Sequence, residues 1–328
     1  MGKFNELVLN SPRRLALPIA VYPALTLTGV KVRDIVTNPH AQFEAAAALQ
    51  ARYRAPFVMA AMDLSVEAEA FGCDLHMTDN EVPTAANPVI ASLEQAQALA
   101  VPPVGTKRTP VYLETVRRLR ELPAQPLVLG SCIGPFSLAG RLVGLSEACG
   151  LTLENPNLMH TVLTKCTEYL TAYAKAFREA GAHALLMAEP AAGLLSPRGL
   201  VRFSAAYIKA IVQAAEDGQF QVVLHNCAAK RVHLPAILES GPQAFHFGAP
   251  MDLVQALTEI PATTVLCGNL DPSAVFLQAT AEQVAERTGN LLAATNAHRN
   301  FVISSGCDVP AENPLSNLDA FHARIEGE

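Results

Sequence analysis

The sequence lacks the features of a nucleic-acid-binding protein. It has no tryptophan, aromatic residues make up only 6 %, and 24 basic residues stand against 30 acidic ones, for a net charge of −6. A basic surplus would be needed to neutralise phosphates, and aromatic side chains would be needed to stack on unpaired bases. Nucleic acid is therefore excluded as the main partner.

Charged residues and long apolar runs are also scarce. Only 16 % of the residues are charged, against about 25 % in ordinary globular domains, and half of the chain is hydrophobic. This composition excludes disorder and predicts a large buried core. The longest weakly interrupted apolar stretch, Leu15 to Val30, contains Pro18 and Pro23 and falls short of the roughly 20 residues of a membrane span. We interpret it as a first buried strand rather than an export signal, and expect no membrane contact and a cytoplasmic location.

The chain has no CxxC pair. Its seven cysteines are an odd number in a large chain, which disfavours a secreted disulfide framework. We expect reduced thiols, some of them buried as small apolar groups.

Eight short apolar runs rich in β-forming residues recur along the chain, and most end in turn-forming residues. Nearly continuous apolar character is typical of parallel strands that are buried on both faces. Helical patterns lie between the runs, and eightfold strand–helix alternation predicts an α/β fold, a single (β/α)8 TIM barrel over residues 1–328. A doubly wound open sheet would also alternate. The runs are 17–25, 56–65, 126–134, 183–190, 221–228, 244–250, 263–272 and 300–310.

Capping residues predict several helix boundaries. The amphipathic stretch 155–180 is followed by Gly181, a typical residue after a helix C-terminus. Ser196 and Pro197 predict the start of a helix that continues to about residue 216. Further helices are predicted after Asp252 and over 93–99, 111–122 and 281–297.

One connection is too long for a simple barrel. Residues 66–125 separate strands two and three, and the first part of this segment is rich in turn-forming residues. We interpret it as a lid-like insertion, in which residues 72–90 form a hairpin-like excursion over the barrel mouth.

His225 and Cys227 flank Asn226 at the end of predicted strand five. Residues at i and i+2 of a strand point to the same face, so in a barrel both face the lumen at the end where barrel enzymes build their sites. Cys307 lies beyond strand eight, in a segment, 304–310, that is predicted to be a loop. One imidazole and two thiolates provide three ligands and leave one position open, the arrangement of a catalytic zinc ion. A buried histidine with unreactive thiols is the alternative interpretation.

Two carboxylates at other strand ends are candidates for catalysis. Glu189 ends strand four, where it is a possible fourth ligand, a hydrogen-bond partner of His225 or an exposed loop residue. Asp271 ends strand seven, where it either contacts substrate or caps the helix after Pro272.

Other polar residues have weaker claims. At least one of Asp63, Glu67 and Glu69, which follow strand two, is expected to line the barrel mouth. His246 alternates with two phenylalanines and is predicted to be a hydrogen-bonded barrel residue rather than a ligand. The five remaining cysteines have no histidine or acid at ligand spacing and are interpreted as structural: Cys73, Cys132, Cys149, Cys166 and Cys267.

Several segments resemble a known family. HNCA, VLCGNLDP and SSGCDVPAENPLSNLDA are similar to segments of the uroporphyrinogen decarboxylase superfamily, and within it of the corrinoid-dependent branch, the methylcobamide:coenzyme M methyltransferases. DLSVEAEAFGCD, GPFSLAGRLVG and GLLSPRGLVRF extend the resemblance over roughly residues 55–325.

The resemblance implies a mechanism. It implies His225, Cys227 and Cys307 as ligands of one Zn²⁺, and transfer of a methyl group from a methylated corrinoid, held by a separate corrinoid-binding protein, to a small thiol such as coenzyme M. Homocysteine or another small thiol is an alternative acceptor. No general base inside the site is strictly required, and Glu189 and Asp271 are the candidates for taking the thiol proton.

Other functions remain open at this point. A decarboxylase of this superfamily carries an arginine-rich motif for porphyrinogen carboxylates, and no such motif follows Arg14. A zinc hydrolase would need a general base beside the metal, and a structural zinc protein would bind the corrinoid protein without chemistry. No oligomeric state is predicted.

Overall fold

The computed structural model describes residues 2–327. Eight parallel strands form one sheet that curls into a nearly closed barrel, which confirms the predicted (β/α)8 fold. The hydrogen-bonded order is β1–β8–β7–β6–β5–β4–β3–β2. The strands are β1 Leu15–Ala16, β2 Phe57–Met59, β3 Leu127–Ile133, β4 Ala184–Ala188, β5 Gln221–Asn226, β6 Ala244–Phe247, β7 Val265–Leu270 and β8 Phe301–Ser305.

The barrel seam lies between β1 and β2, which stand at the two ends of the hydrogen-bonded order. A cavity of about 50 Å³ lies there, lined by both strands and by the helix Pro39–Tyr53. The lining is apolar at Leu17, Val58 and Met59, so packing rather than a ladder of hydrogen bonds brings these two strands together.

Helices cover the outside of the sheet. The predicted N-caps are present: Ser196 accepts a hydrogen bond from the N–H of Gly199, and Asp252 accepts one from the N–H of Gln255. The α-helices are Lys3–Asn10, Leu25–Thr28, Val32–Thr37, Pro39–Tyr53, Val66–Ala70, Leu93–Ala98, Thr109–Arg120, Pro135–Val143, Leu145–Glu154, Pro156–Glu179, Pro197–Leu200, Ala206–Ala215, Leu234–Leu238, Leu253–Glu259, Ala281–Thr295 and Leu315–Glu326. Short 3₁₀ turns are Tyr22–Ala24, Pro190–Leu194 and Arg231–His233, and π turns are Val201–Ala205 and Pro272–Leu277.

The first strand was predicted too late in the chain. The prediction placed it at 17–25, whereas β1 is Leu15–Ala16. Pro18 has no N–H to continue the ladder with β8, and the next N–H, of Ile19, donates to the Ser305 hydroxyl at 2.9 Å. The run is buried as expected, but it is irregular backbone that enters the 3₁₀ turn Tyr22–Ala24.

Two further predictions are corrected. Ser304 and Ser305 were assigned to a loop, yet both lie in β8 and have 0 % exposure. The helix predicted from residue 196 to about 216 is interrupted by the π turn Val201–Ala205, because one residue more than an α-helical turn is accommodated there.

The long connection after β2 contains the predicted hairpin. Leu75–His76 pairs antiparallel with Thr84–Ala85. The hairpin turn contacts the connection after β1, where the Arg33 N–H donates to the Asp79 carbonyl at 3.1 Å. The segment then reaches the helix after β3, since the N–H groups of Val89 and Ile90 both donate to the Leu142 carbonyl.

Within residues 2–327, no helix combines the length and the apolar character that crossing a membrane requires.

Candidate metal centre and active site

Three predicted ligands converge at the C-terminal end of the barrel. One ligand atom each of His225, Cys227 and Cys307 lies within 4.8 Å of the other two. His225 is in β5 and is 1 % exposed, Cys227 follows that strand directly, and Cys307 comes two residues after β8. Asn226, between His225 and Cys227, is also buried.

Two glycines allow the strand ends to approach one another. A Cβ on Gly248, which follows β6, would lie 2.1 Å from the carbonyl oxygen of Cys227. A Cβ on Gly306, which precedes Cys307, would lie 2.9 Å from the amide nitrogen of Ala249. Because only glycine fits at these contacts, the loops after β5, β6 and β8 can close around one point.

The two thiols form a coupled pair. The hydrogen bond from the Cys307 thiol lowers the pKa of Cys227. The same bond, with burial, raises the pKa of Cys307 to about 12. Each thiol thus affects the ionisation of the other, and a cation that binds both sulfur atoms as thiolates would replace this contact.

A chain of hydrogen bonds runs behind His225 across the barrel. The Nδ1 atoms of His225 and His246 are 2.9 Å apart, and His246 Nε2 is 2.7 Å from the Ser304 hydroxyl. The hydroxyl of Ser304 in turn donates to the backbone carbonyl of Leu17. His246 is thus hydrogen-bonded at both ring nitrogens and outside the ligand cluster, as predicted. Burial, and then the neighbouring His225, lower the pKa of His246 well below its ordinary value, so the ring is neutral.

The ring nitrogen of His225 that is not bonded to His246 indicates a site for a ligand. Its Nε2 is buried and has no hydrogen-bond partner within the described chain. Buried imidazole nitrogens are normally hydrogen-bonded or bound to a metal. Zinc held by cysteine and histidine keeps its ligand atoms roughly 3.5–3.8 Å apart. The three ligand atoms of this cluster, all within 4.8 Å of one another, are close enough to share one such ion. The donor set, one nitrogen and two sulfurs, fits Zn²⁺.

Glu189 lies at the end of the strand next to that of His225, but its carboxylate is engaged in hydrogen bonds. It is 1 % exposed, so it is not a loop residue on the surface. Its carboxylate accepts hydrogen bonds from the N–H groups of Phe136 and Ser137, at 3.0 and 2.6 Å, and from the Ser137 hydroxyl at 2.5 Å. The ring of His225 is bonded to His246 instead, so of the three roles considered for Glu189 the side-chain pairing with His225 is not formed. Their contact is between backbones, Glu189 N–H to His225 carbonyl, at 2.8 Å.

Burial has one chemical consequence for Glu189. Removal from water raises the pKa of its carboxyl to about 7, although the donors at the helix N-terminus oppose that shift. The group can therefore exchange a proton close to neutral pH.

Asp271 takes the capping role. One of its oxygens accepts hydrogen bonds from the N–H groups of Ser273 and Ala274, at 2.9 and 2.7 Å, at the start of the turn Pro272–Leu277. Both of the roles considered for Asp271 remain compatible with this position at the end of β7, because the cap uses a single oxygen.

The acidic residues after β2 are engaged in a buried ion network. Arg108 lies 2.5 Å from Asp63 and 2.7 Å from Glu69, and the Tyr112 hydroxyl donates to Asp63 at 3.0 Å. These contacts bind the end of β2 to the helix Thr109–Arg120. Glu67 is different: one oxygen accepts the Ile133 N–H at 3.1 Å and the other is buried without a partner in the described chain.

The sequence did not reveal Ser304 as part of the centre. Its contact with His246 depends on the register of β6, β7 and β8, which no local pattern specifies. Every second residue of β8 faces the barrel lumen, and Ser304 is one of them. This alternation could have identified it, but a loop assignment for the segment leaves the alternation out of the prediction.

A family model described as uroporphyrinogen decarboxylase (URO-D) matches residues 15–327. The chain is 29 % identical over 269 residues to the methylcobamide:CoM methyltransferase MtbA of Methanosarcina acetivorans, covering 81 % of this chain and 76 % of that protein. It is 28 % identical over 274 residues to the uroporphyrinogen decarboxylase of Psychromonas ingrahamii, covering 79 % and 76 %.

A solved structure described as a methyltransferase from Methanosarcina mazei has the same fold. It superposes with a TM-score of 0.89 at 22 % sequence identity, over 98 % of this chain and 96 % of that one. Because the family model spans nearly all of the described residues, the chain belongs to the uroporphyrinogen decarboxylase family.

Proposed function

We propose that the protein is a zinc-dependent methyltransferase, which moves a methyl group from a corrinoid bound to a partner protein to a small thiol such as coenzyme M. The observation that carries this proposal is the cluster of His225, Cys227 and Cys307 at the barrel mouth. Similarity to proteins named methylcobamide:CoM methyltransferase supports the choice of donor and acceptor.

The ligand set favours this reaction over its alternatives. A decarboxylase has no use for a soft-metal site, and it needs cations for the carboxylates of a porphyrinogen. Arg14 cannot supply one at the mouth, because it precedes β1 and its guanidinium donates at 2.8 Å to the carbonyls of His298 and Phe301, at the other end of the barrel. A hydrolase gains less from this site, since two thiolates make the metal a weak Lewis acid.

The side chains of the protein have distinct tasks in this mechanism. His225 offers a buried nitrogen, and Cys227 and Cys307 bind as thiolates whose two negative charges offset a divalent cation. When bound, zinc would supply the means to keep an acceptor thiol in its thiolate form near neutral pH. In the overall reaction the acceptor sulfur forms a bond to the methyl carbon, and the cobalt–carbon bond breaks with its electron pair left on the corrinoid.

The proton of the acceptor thiol also needs a destination. We propose that a carboxylate at the strand ends, Glu189 or Asp271, receives it. Glu189 is supported by its elevated pKa of about 7, and Asp271 by a half-buried position at the end of β7 in which the cap engages one oxygen. Glu189→Gln and Asp271→Asn separate the two candidates. Substitution of the residue that accepts the proton should slow methyl transfer, and substitution of the other should not. Zinc content should stay unchanged in both variants.

Metal analysis combined with a methyl-transfer assay tests the proposal. The purified chain should contain close to one zinc and should demethylate methylcobalamin only when a thiol is added; coenzyme M and homocysteine are the acceptors to compare. Cys227→Ala and Cys307→Ala should lose both zinc and activity. Cys149→Ala, a half-buried thiol outside the cluster, is the matched control and should keep both.

Two outcomes would contradict the proposal. Full zinc occupancy in either ligand variant would remove that cysteine from the site. Decarboxylation of uroporphyrinogen by a chain that leaves methylcobalamin intact would establish the decarboxylase instead.

A further inference from the structure

We propose that His246 and Ser304 are positioning residues that fix the tautomer of His225 and so present its Nε2 lone pair to the metal. The inference rests on the proposed function only in taking zinc as the metal. It concerns residues that lie behind the ligand and do not belong to the cluster itself.

The direction of each hydrogen bond in the series from His225 to Leu17 follows from the last acceptor, the Leu17 carbonyl. The Leu17 carbonyl can only accept, so the Ser304 hydroxyl must spend its single proton there. The Ser304 oxygen can then only accept, and the donor that faces it is His246 Nε2, at 2.7 Å. His246 must therefore carry its proton on Nε2.

The second half of the argument concerns the two imidazoles. A neutral ring with a proton on Nε2 has a bare lone pair on Nδ1. His246 Nδ1 is 2.9 Å from His225 Nδ1, so the proton in that contact belongs to His225. A metal binds only an imidazole nitrogen that carries no proton. With the proton of His225 on Nδ1 its lone pair is on Nε2, the buried atom that has no partner in the described chain.

Burial makes this arrangement rigid. His225 is 1 % exposed, His246 and Ser304 are both 0 % exposed, and Leu17 is 3 % exposed. Water cannot reach the chain of bonds to offer other donors or acceptors, so the geometry set by β1, β8, β6 and β5 decides the tautomer. Outer hydrogen-bond partners of this kind orient a ligand before the metal arrives.

Nuclear magnetic resonance of ¹⁵N-histidine-labelled, zinc-free protein tests the polarity without any variant. We expect His246 as the Nε2–H form and His225 as the Nδ1–H form. Assignment of the opposite tautomer to either ring would overturn the inference.

Zinc affinity, measured by competition with a chromophoric chelator, tests the consequence. Ser304→Ala should bind zinc about 10- to 100-fold more weakly, the usual effect of losing an outer partner. Ser305→Ala is the matched control: it is the next residue of β8, is also 0 % exposed, and uses its hydroxyl on the Ile19 N–H instead. Its zinc affinity should stay within about twofold of the wild type, and equal losses in the two variants would refute the role of Ser304.

Substitution of His246 provides a rescue test. His246→Leu removes the acceptor for His225, whereas His246→Gln keeps one acceptor and one donor on a carboxamide of similar span. We expect glutamine to retain more zinc affinity than leucine; the reverse order would contradict the inference, and this pair decides if Ser304→Ala fails to fold.

These measurements are separable from the proposed function. If zinc affinity depends on Ser304 but the protein does not transfer methyl groups, the proposed function alone would be overturned. Methyl transfer in a chain whose zinc affinity is indifferent to Ser304 and His246 would overturn this inference alone.

Discussion

Glu67 links the charge state of one side chain to the stability of the barrel. It is fully buried, one of its oxygens has no partner within the described chain, and burial raises the pKa of its carboxyl from 4.5 to about 8. Between these two pH values the folded chain holds a proton that the unfolded chain releases. Raising the pH through this window therefore lowers the free energy of unfolding.

The first prediction follows from that sign. Glu67→Gln cannot ionise, so its free energy of unfolding relative to the wild type should rise from pH 5 to pH 8.5 by on the order of a few kcal/mol. Urea unfolding of both proteins at the two pH values measures the difference, and the pH dependence that other groups cause cancels in the comparison. A difference that is the same at both pH values would show that Glu67 is ionised in the folded chain throughout.

At the scale of single residues, the sequence predicts which side chains come together where chemistry and spacing coincide. The i, i+2 spacing of His225 and Cys227 fixes their common direction on a strand, and a third soft ligand completes a recognisable set. The roles of Glu189 and the partner of His225 depend on which side chain faces which across the barrel. That information lies in the register between strands, and local patterns do not contain it.

At the scale of elements, the candidate metal centre depends on loops that approach closely. Gly248→Ala would bring a Cβ within 2.1 Å of the Cys227 carbonyl oxygen, a backbone atom that can yield only if the loop after β5 moves. We expect this variant to lose zinc affinity and about 1–3 kcal/mol of stability, although no ligand is changed.

Gly218→Ala is the control for that second prediction. It lies in the loop before β5, and nothing stands within 4 Å of its added Cβ. Chelator competition and urea unfolding should leave it close to the wild type. If Gly248→Ala bound zinc as tightly as Gly218→Ala, close packing of the loops would not be what holds the ligands together.

The third prediction concerns the hairpin after β2, which we propose as a lid over residues 72–90. It lies against the connections that follow β1 and β3, and its turn is held by an exposed ion pair, Lys31 to Asp79 at 2.6 Å. Exposed pairs contribute roughly 0–1 kcal/mol, so this pair adds little resistance to movement of the turn. Hydrogen exchange in 72–90 should slow when methylcobalamin and coenzyme M are added, while 216–220, before β5, stays unchanged. Equal exchange in 72–90 with and without ligands would assign the hairpin to a structural role.

The misplaced first strand shows what apolar patterning cannot resolve. The run 17–25 is as buried as a strand, but β1 has only two residues, because Pro18 cannot continue its ladder of hydrogen bonds. Hydrophobicity predicts that a segment lies inside, whereas the donors and acceptors of its backbone decide its form. The helices with explicit caps, such as Pro156–Glu179, were predicted to within a residue or two because the cap specifies the boundary itself.

At the scale of the whole molecule, the barrel has two unlike ends. The connections that follow β1, β4 and β5 carry exposed apolar side chains. They lie at the end of the barrel that holds the candidate metal ligands. Leu27, Leu194 and Val232 are 40 %, 60 % and 62 % exposed there. Exposed large apolar groups around a site are typical of protein contact surfaces, and under the proposed function a corrinoid held by another protein would be brought to this end.

The fourth prediction uses that asymmetry. Leu194→Asp and Val232→Asp should slow methyl transfer from a protein-bound methylcorrinoid by about tenfold or more, because a charge buried in the contact costs over about 1.4 kcal/mol. Transfer from free methylcobalamin, which needs no protein contact, should be unchanged. Gln219→Asp adds the same charge at the opposite end of the barrel, in the exposed loop before β5, and should affect neither reaction. If the two apolar variants slowed both reactions equally, their effect would be on the site itself, and the partner would have to dock elsewhere.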